Sequence, residues 1–365
     1  MAVCSVATWL VGSLTAADRS RTVRFLPVDK TSSIRIMDKG PKGALYGLRI
    51  KAPWRNGGEL YVNLPEHLEM QGTVGILRWS DAKRGASKGW VSSADGLSAH
   101  LEVESPGRKG VLVKGEARVV AKDRVQVVMT IENGGNRTLT WLKPLYCVQY
   151  RKLTGFPGWV EKEDGNRNHT FLLLDGNTRS VSEILKREGV QKPRILKGLV
   201  KDSRMTLFEP NVSSRVDIAL VAVSSIDNQR KLIVGWTPGS YLLANPGIPC
   251  LHADGFYEPL KKGESGSVLG TFVFTDKDLQ ETMLSLKKEG VGMPRAKSFT
   301  GSPRLTPRML GLRPMQWAGS PVRRYYFSSK SSFSSNQLNA LFCMLGGGTW
   351  CPPSKAITAI WDLCF

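Results

Sequence analysis

Apolar and polar residues alternate with a period of two over most of the chain between Thr22 and Thr275. That is the pattern of strands with one face in a core and one toward water. It predicts strands at 23–26, 33–36, 45–50, 59–64 and 73–79, then at 97–104, 110–120 and 124–133. Further strands are predicted at 143–150, 170–174, 205–209, 215–223, 231–237 and 266–275. The run 124–133 is the clearest, with Val125, Val127, Met129 and Ile131 on one face and Gln126, Thr130 and Glu132 mainly on the other. Asn133-Gly134-Gly135-Asn136 follows as a turn, because Gly and Asn accept positive φ. Asp227-Asn228-Gln229, between two apolar runs, reads as a hairpin loop.

Two segments break the period of two. Ser180-Val181-Ser182-Glu183 has the spacing of a capping box, with Gly189 just past the end of the helix it opens. A second helix spans 277–289, with Thr275 or Asp276 as its cap and Gly290 as its stop. Leu279, Met283 and Leu286 share one face of it. Roughly fifteen strands with so few helices exceed one immunoglobulin-sized unit. The prediction is an all-β fold: a large antiparallel sandwich, either a supersandwich or two packed sandwiches, with two short helices and a poorly ordered C-terminal tail.

The ends of the chain read differently. Residues 2–17 carry no charge, and Thr15-Ala16-Ala17 before Asp18 resembles a signal-peptidase site. Residues 1–17 are therefore expected to be a signal peptide, and the protein to be secreted or periplasmic. No Lys or Arg precedes Asp18, so two other readings stay open: a signal truncated at its start, or a buried first element of a cytosolic protein. The sandwich is expected over 20–290. Residues 291–365 hold seven prolines, ten serines, nine basic residues and a single acid, Asp362, without a sustained apolar period between Gly292 and Ser335. Such a stretch offsets its ordering entropy poorly.

Charge follows the same division. The chain has 51 Lys and Arg against 31 Asp and Glu, a net +20, with 41% hydrophobic residues. The tail accounts for +8 of this, which leaves a moderate excess spread over the sandwich. Arg323-Arg324-Tyr325-Tyr326-Phe327 combines cations with aromatics, as nucleic-acid binders do. The tail arginines are otherwise scattered, which disfavours nucleic acid as a partner. A basic tail that binds nucleic acid or an anionic surface, and a segment out of frame and not selected, both remain open. No apolar run reaches the ~20 residues of a membrane span, so no transmembrane segment is expected in the mature chain.

Candidate chemistry is sparse. In Asn245-Pro246-Gly247-Ile248-Pro249-Cys250-Leu251-His252-Ala253-Asp254, an extended backbone turns Cys250, His252 and Asp254 to one side. Thiolate, imidazole and carboxylate are transition-metal ligands. The same trio also suits a small-ligand site, or a buried Cys beside a His–Asp pair. We assign it as a candidate ligand-binding set and assign no metal ion or cofactor. Cys147 lies in a similar setting, and in an exported protein it could form a disulfide with Cys250. Cys343, Cys351 and Cys364 lack zinc-ribbon spacing. His67, His100 and His169 are isolated, and Glu161, Glu163 and Asp164 read as a solvated acidic loop. Trp54, Trp79, Trp90, Trp141, Trp159 and Trp236 all fall in the β region. Trp90, Trp141 and Trp159 lie near predicted loops or strand ends, where flat rings would stack on sugars; filling the core is the competing role.

Three stretches, 72–79, 127–133 and 249–254, carry a resemblance to exported bacterial β-sandwich proteins of uncharacterised function. More loosely, the order of elements over 20–275 resembles the galactose-mutarotase-like supersandwich, whose members act on or bind carbohydrate. Mutarotases have a His-Pro pair after the turn that precedes this region; here Trp141-Leu142-Lys143-Pro144-Leu145-Tyr146-Cys147 holds no histidine. No catalytic residue carries over. The resemblance implies a glycan partner. The alternatives are a non-catalytic module of the cell envelope and binding through the basic tail.

Overall fold

The computed structural model describes residues 25–38, 44–70, 75–78, 81, 88–158, 165–187, 196–199, 216–244, 248–294, 312–314 and 325–327. The chain divides into two compact units, Met1–Ala296 and Lys297–Phe365. In chain order the first begins with β1 (Arg35–Asp38), β2 (Gly47–Lys51), β3 (Glu59–Met70), β4 (Leu77–Arg78), β5 (Val91–Ser92) and β6 (Ser98–Glu104). Next come β7 (Val111–Ala121), β8 (Arg124–Asn133), β9 (Leu142–Gln149) and the short helix α1 (Gly165–Asn168). They are followed by β10 (Thr170–Leu174), β11 (Asn177–Ser180), α2 (Val181–Arg187) and β12 (Leu196–Leu199). The unit closes with β13 (Leu220–Ser224), β14 (Lys231–Thr237), β15 (Gly239–Ala244), β16 (Cys250–Gly255), β17 (Ser265–Thr275) and α3 (Leu279–Lys288). The described part of the second unit is one antiparallel pair, β18 (Leu312–Pro314) with β19 (Tyr325–Phe327).

Two antiparallel sheets make the sandwich. The first runs β1-β2-β3-β9-β16-β15-β12, with β4 on β3; the second runs β11-β10-β13-β14-β17-β8-β7-β6-β5. The core between them follows the alternation. Leu48, Leu60, Val62, Val148, Leu251 and Ala253 of the first sheet meet Val113, Val125, Val127, Met129, Val234 and Phe272 of the second. Tyr146 of β9 stacks on Trp236 of β14, ring centroids 4.0 Å apart and planes 22° from parallel, tying the sheets together near their centres. Trp236 lies so close to Gly270 of β17 that a Cβ there would come within 2.7 Å of the indole.

The all-β expectation holds, and several predicted elements coincide with observed ones. The run 124–133 is β8, with Val125, Val127, Met129 and Ile131 all buried. Gln126 is buried as well, because its Oε1 accepts from the Leu26 amide across the strand edge (3.2 Å). The capping box opens α2: the Ser180 amide donates to Glu183 Oε2 (2.7 Å) and the Glu183 amide to Ser180 Oγ (3.2 Å). Asp278 caps α3, accepting from the Glu281 amide (2.9 Å), so that helix starts later than a Thr275 or Asp276 cap required. Thr275 Oγ1 is occupied with the Lys277 amide instead. Met283 and Leu286 of α3 pack with Leu220, Ile233 and Val273 on the outer face of the second sheet.

Other expectations need correction. Of the strand predicted at 73–79, residues 77 and 78 form β4 and 75 and 76 lie outside it; residues 25 and 26 are not in a strand, and α1 is an additional helix. The strand predicted at 205–209, the leader 1–17 and Gly189 lie outside the described residues. The sandwich also continues past Gly290. Val291 is buried against α3, Gly292 accepts from the Ala219 amide (2.8 Å), and Met293 accepts from the Gly239 amide (2.9 Å). No helix among the described residues is long and apolar enough to cross a membrane.

The Tyr146–Trp236 contact predicts a sharp glycine requirement. Gly270→Ala should lower stability by about 1–3 kcal/mol through overpacking. Gly158→Ala, where a Cβ meets nothing within 4 Å, should stay within about 0.5 kcal/mol. Urea unfolding of both variants checks this; equal midpoints would show that the stack is not tightly packed.

Candidate functional site

The candidate site lies on the outer face of the first sheet, over β3, β9 and β16. Six consecutive residues of β16 are buried. Leu251 and Ala253 face the core, so the period of two turns Cys250, His252 and Asp254 to the opposite face. Register then decides their neighbours. His252 pairs with Cys147 of β9, and Cys147 with Asn63 of β3. One step along, Cys250 pairs with Gln149, Gln149 with Tyr61, and Tyr61 with Arg49 of β2. Residues directly opposite in an antiparallel pair point the same way. Two outward rows result: Asn63–Cys147–His252 and Arg49–Tyr61–Gln149–Cys250.

A third contributor comes from an irregularity in β3. Its register against β9 shifts between Asn63 and His67, where Pro65 offers no amide to the ladder. Glu66, inside this bulge, brings its Oε2 to 3.8 Å from His252 Nε2. The Sγ atoms of Cys147 and Cys250 and a ring nitrogen of His252 all lie within 4.8 Å of one another. Both cysteines are free thiols. They stand diagonally across the β9–β16 pair, Cys250 two residues before the partner of Cys147.

Asp254 works partly for the fold. Pairing of β16 with β9 ends at His252 and Cys147, and the next β9 amide, that of Tyr146, donates to Asp254 Oδ1 (2.8 Å). The other oxygen, Oδ2, has no hydrogen-bond partner among the described residues; neither do Asn63 Oδ1, His67 Nδ1 and His252 Nδ1.

The electrostatics follow from burial and crowding. Burial raises the Asp254 carboxyl to about 7, against the opposing pull of His252 and the Tyr146 amide. Burial likewise raises Glu66, and His252 draws it partly back. Burial works against the His252 imidazolium, but Cys250, Glu66 and Asp254 together outweigh it and raise the group to about 9. Contact with the Cys147 thiol lowers Cys250, with burial opposing and His252 assisting. Contact with Cys250, then burial, raises Cys147. Burial pushes the His67 imidazole below its ordinary value.

The structure therefore brings Cys250, His252 and Asp254 to one face as the alternation required, and adds Cys147, Glu66, Asn63 and His67. Nothing local in the sequence marks Glu66; only the Pro65 beside it signals an irregular strand. Among the described residues, Trp54, Trp90, Trp141 and Trp236 do not join the site. Trp90 is a core residue: its indole N–H donates to the Leu64 carbonyl (3.0 Å), and its ring fills the space left by Gly115. Trp141 is half-buried, with a left-handed φ of 56°, at the entry to β9. Cys147 stands six positions further along the strand, roughly 20 Å at the usual rise. Trp159 and the acidic loop of Glu161, Glu163 and Asp164 lie outside the described residues. Trp54 packs on Phe156 and Phe274, and Trp236 is in the core. His100 is exposed on β6, and His169 Nδ1 pairs with Ser224 Oγ (3.2 Å).

The fold and site define a two-sheet antiparallel sandwich with a polar, largely buried cluster on the outside of one sheet. No protein-family model and no curated protein matches the chain. Among solved structures it is similar to a galactose mutarotase-like protein from Clostridium acetobutylicum, at 11% identity and TM-score 0.36, over 66% of this chain and 98% of that one. It is also similar to the GalM/aldose epimerase homologue from C. elegans, at 11% identity and TM-score 0.33, over 68% and 100% of the two chains. The Slr1438 protein from Synechocystis sp. PCC 6803 gives 10% identity and TM-score 0.38, over 68% and 94%. These likenesses are loose and carry no residue across.

The bond from the Tyr146 amide separates two substitutions at Asp254. Asp254→Ala leaves a buried amide unpaired and should cost about 1–3 kcal/mol. Asp254→Asn keeps an acceptor and should retain more than half of that stability. Urea titration of both variants decides; equal losses would mean that the hydrogen bond does not matter.

Proposed function

We propose that this protein is a secreted or periplasmic carbohydrate-binding sandwich, with its saccharide lying on the outer face of the first sheet. The observation that carries this reading is the half-buried row Arg49–Tyr61–Gln149 beside the buried polar row Asn63–Cys147–His252. A phenol ring between a guanidinium and a primary amide offers a flat face with hydrogen-bonding groups on either side. A sugar presents the complement: an apolar C–H face for stacking and hydroxyls that both donate and accept. Gln149 and Tyr61 form the accessible part of this surface, and the carboxyl groups of Glu66 and Asp254 lie behind it. The uncharged segment 2–17 supports export.

The test is binding of a panel of aldoses and oligosaccharides to the full chain, by thermal shift and on a glycan array. At least one saccharide should raise Tm. Tyr61→Ala should weaken its binding about tenfold, equivalent to about 1.4 kcal/mol, while the circular dichroism spectrum stays unchanged. If no saccharide binds, or if Tyr61→Ala binds as the parent does, the reading fails. Export is checked separately: the secreted or periplasmic protein should begin at Asp18.

A further inference from the structure

The trio Cys147, Cys250 and His252 is buried beside the accessible sugar surface, and it has the composition of a metal site. We infer that these three side chains bind one zinc-class divalent ion, with Glu66 orienting the histidine. The inference needs no bound saccharide.

Four observations converge on this. The first is donor chemistry: two thiols and an imidazole are the soft and borderline ligands that zinc takes, and a Cys2His set is one of its three-ligand arrangements. The second is geometry. The three donor atoms lie within 4.8 Å of one another. Zn–S bonds of ≈2.3 Å in a tetrahedron place two sulfurs about 3.8 Å apart. Side-chain rotations that close this gap by up to about 1 Å therefore suffice, with no change of strand register.

The third observation is what each neighbour does. His252 Nδ1 is buried without a hydrogen-bond partner among the described residues, while Nε2 faces Glu66 Oε2 at 3.8 Å. A carboxylate on one imidazole nitrogen with the other free is how proteins orient a metal-bound histidine. The Gln149 amide lies 3.8 Å from Cys147 Sγ, positioned to donate to a thiolate there. The fourth is the backbone. Cys147 and His252 face each other across β9 and β16, and Cys250 stands two residues before His252 on the same face. The centre of a sheet is rigid, so the three ligands are held together before any ion arrives. Both cysteines are free thiols, and so available as ligands.

The experiment uses the full chain, stripped with a chelator and kept reduced, then titrated with Zn²⁺ and separately with Co²⁺. One equivalent of zinc per chain should be retained after desalting, measured by mass spectrometry of the metal. Cobalt should give thiolate-to-metal charge-transfer bands with the intense d–d bands of a tetrahedral site. Replacing the tail cysteines (Cys343→Ser, Cys351→Ser, Cys364→Ser) should leave both signals intact. Cys250→Ser and His252→Ala should abolish the retained zinc. Glu66→Gln should weaken binding about 10- to 100-fold, the usual cost of removing such an orienting partner. Circular dichroism confirms that each variant folds. The cobalt spectrum of the parent protein tests the inference even if Cys250→Ser does not fold. The inference is overturned if the parent shows no charge-transfer band, if the tail-cysteine variant loses the ion, or if mass spectrometry finds Cys147 and Cys250 disulfide-bonded in the native protein.

Discussion

The pairing of His252 with Cys147 determines what the outer face of the first sheet presents. Side chains alternate along a strand, so a slip of one residue between β16 and β9 would exchange the two faces. Leu251 and Ala253 would turn outward, and Cys250 and His252 would enter the core. That outcome is prevented on the core side. Val148, Leu251 and Ala253 are fully buried there, and Tyr146 is held in its stack with Trp236. The polar cluster is thus placed by apolar packing on the opposite face of the same strands. Asp254 adds a polar lock at the point where the ladder ends, taking the Tyr146 amide that β16 no longer reaches.

The bulge in β3 does complementary work. Without the shift between Asn63 and His67, residues 64 to 66 would continue the alternation against β9, and the position of Glu66 would face the core. Pro65 cannot donate to the ladder, so the strand yields there. Leu64 remains in the core and its carbonyl accepts from Trp90, while Glu66 reaches the histidine. One local irregularity therefore supplies both an anchor for a core tryptophan and a carboxyl for the outer cluster.

How legible this was depended on exposure. The strands 124–133, 170–174 and 231–237 coincide with β8, β10 and β14, because turn residues bound them and, for β8, one face alternates cleanly with solvent. β16 gives no such contrast: both its faces are buried, and only the supposition of extended backbone put Cys250, His252 and Asp254 together. Cys147 was raised as a possible disulfide partner of Cys250, but its register opposite His252 was not readable, since strand pairing over about a hundred residues leaves no local mark. Glu66 was hidden for the same reason. Trp90 misled because loop proximity in sequence says nothing of Gly115, on another strand, whose missing side chain receives the indole. At α3 the helical face was readable, but three acceptors in a row, Thr275, Asp276 and Asp278, could each have capped it.

Burying two thiols, an imidazole and two carboxyl groups together is expensive, since each loses its hydration. A role in the fold accounts for part of the cluster. Asp254 Oδ1 satisfies an amide that would otherwise be stranded, and Gln149 approaches Cys147. It does not account for His252, whose Nδ1 has no partner among the described residues although its ring is enclosed by polar groups. Leucine or valine at position 252 would fill the same place in the strand without that penalty, and the neighbouring β15 carries Leu243 directly opposite. The imidazole carries that cost with both thiols within 4.8 Å of one of its ring nitrogens and Glu66 Oε2 3.8 Å from Nε2, an arrangement that apolar packing alone does not require.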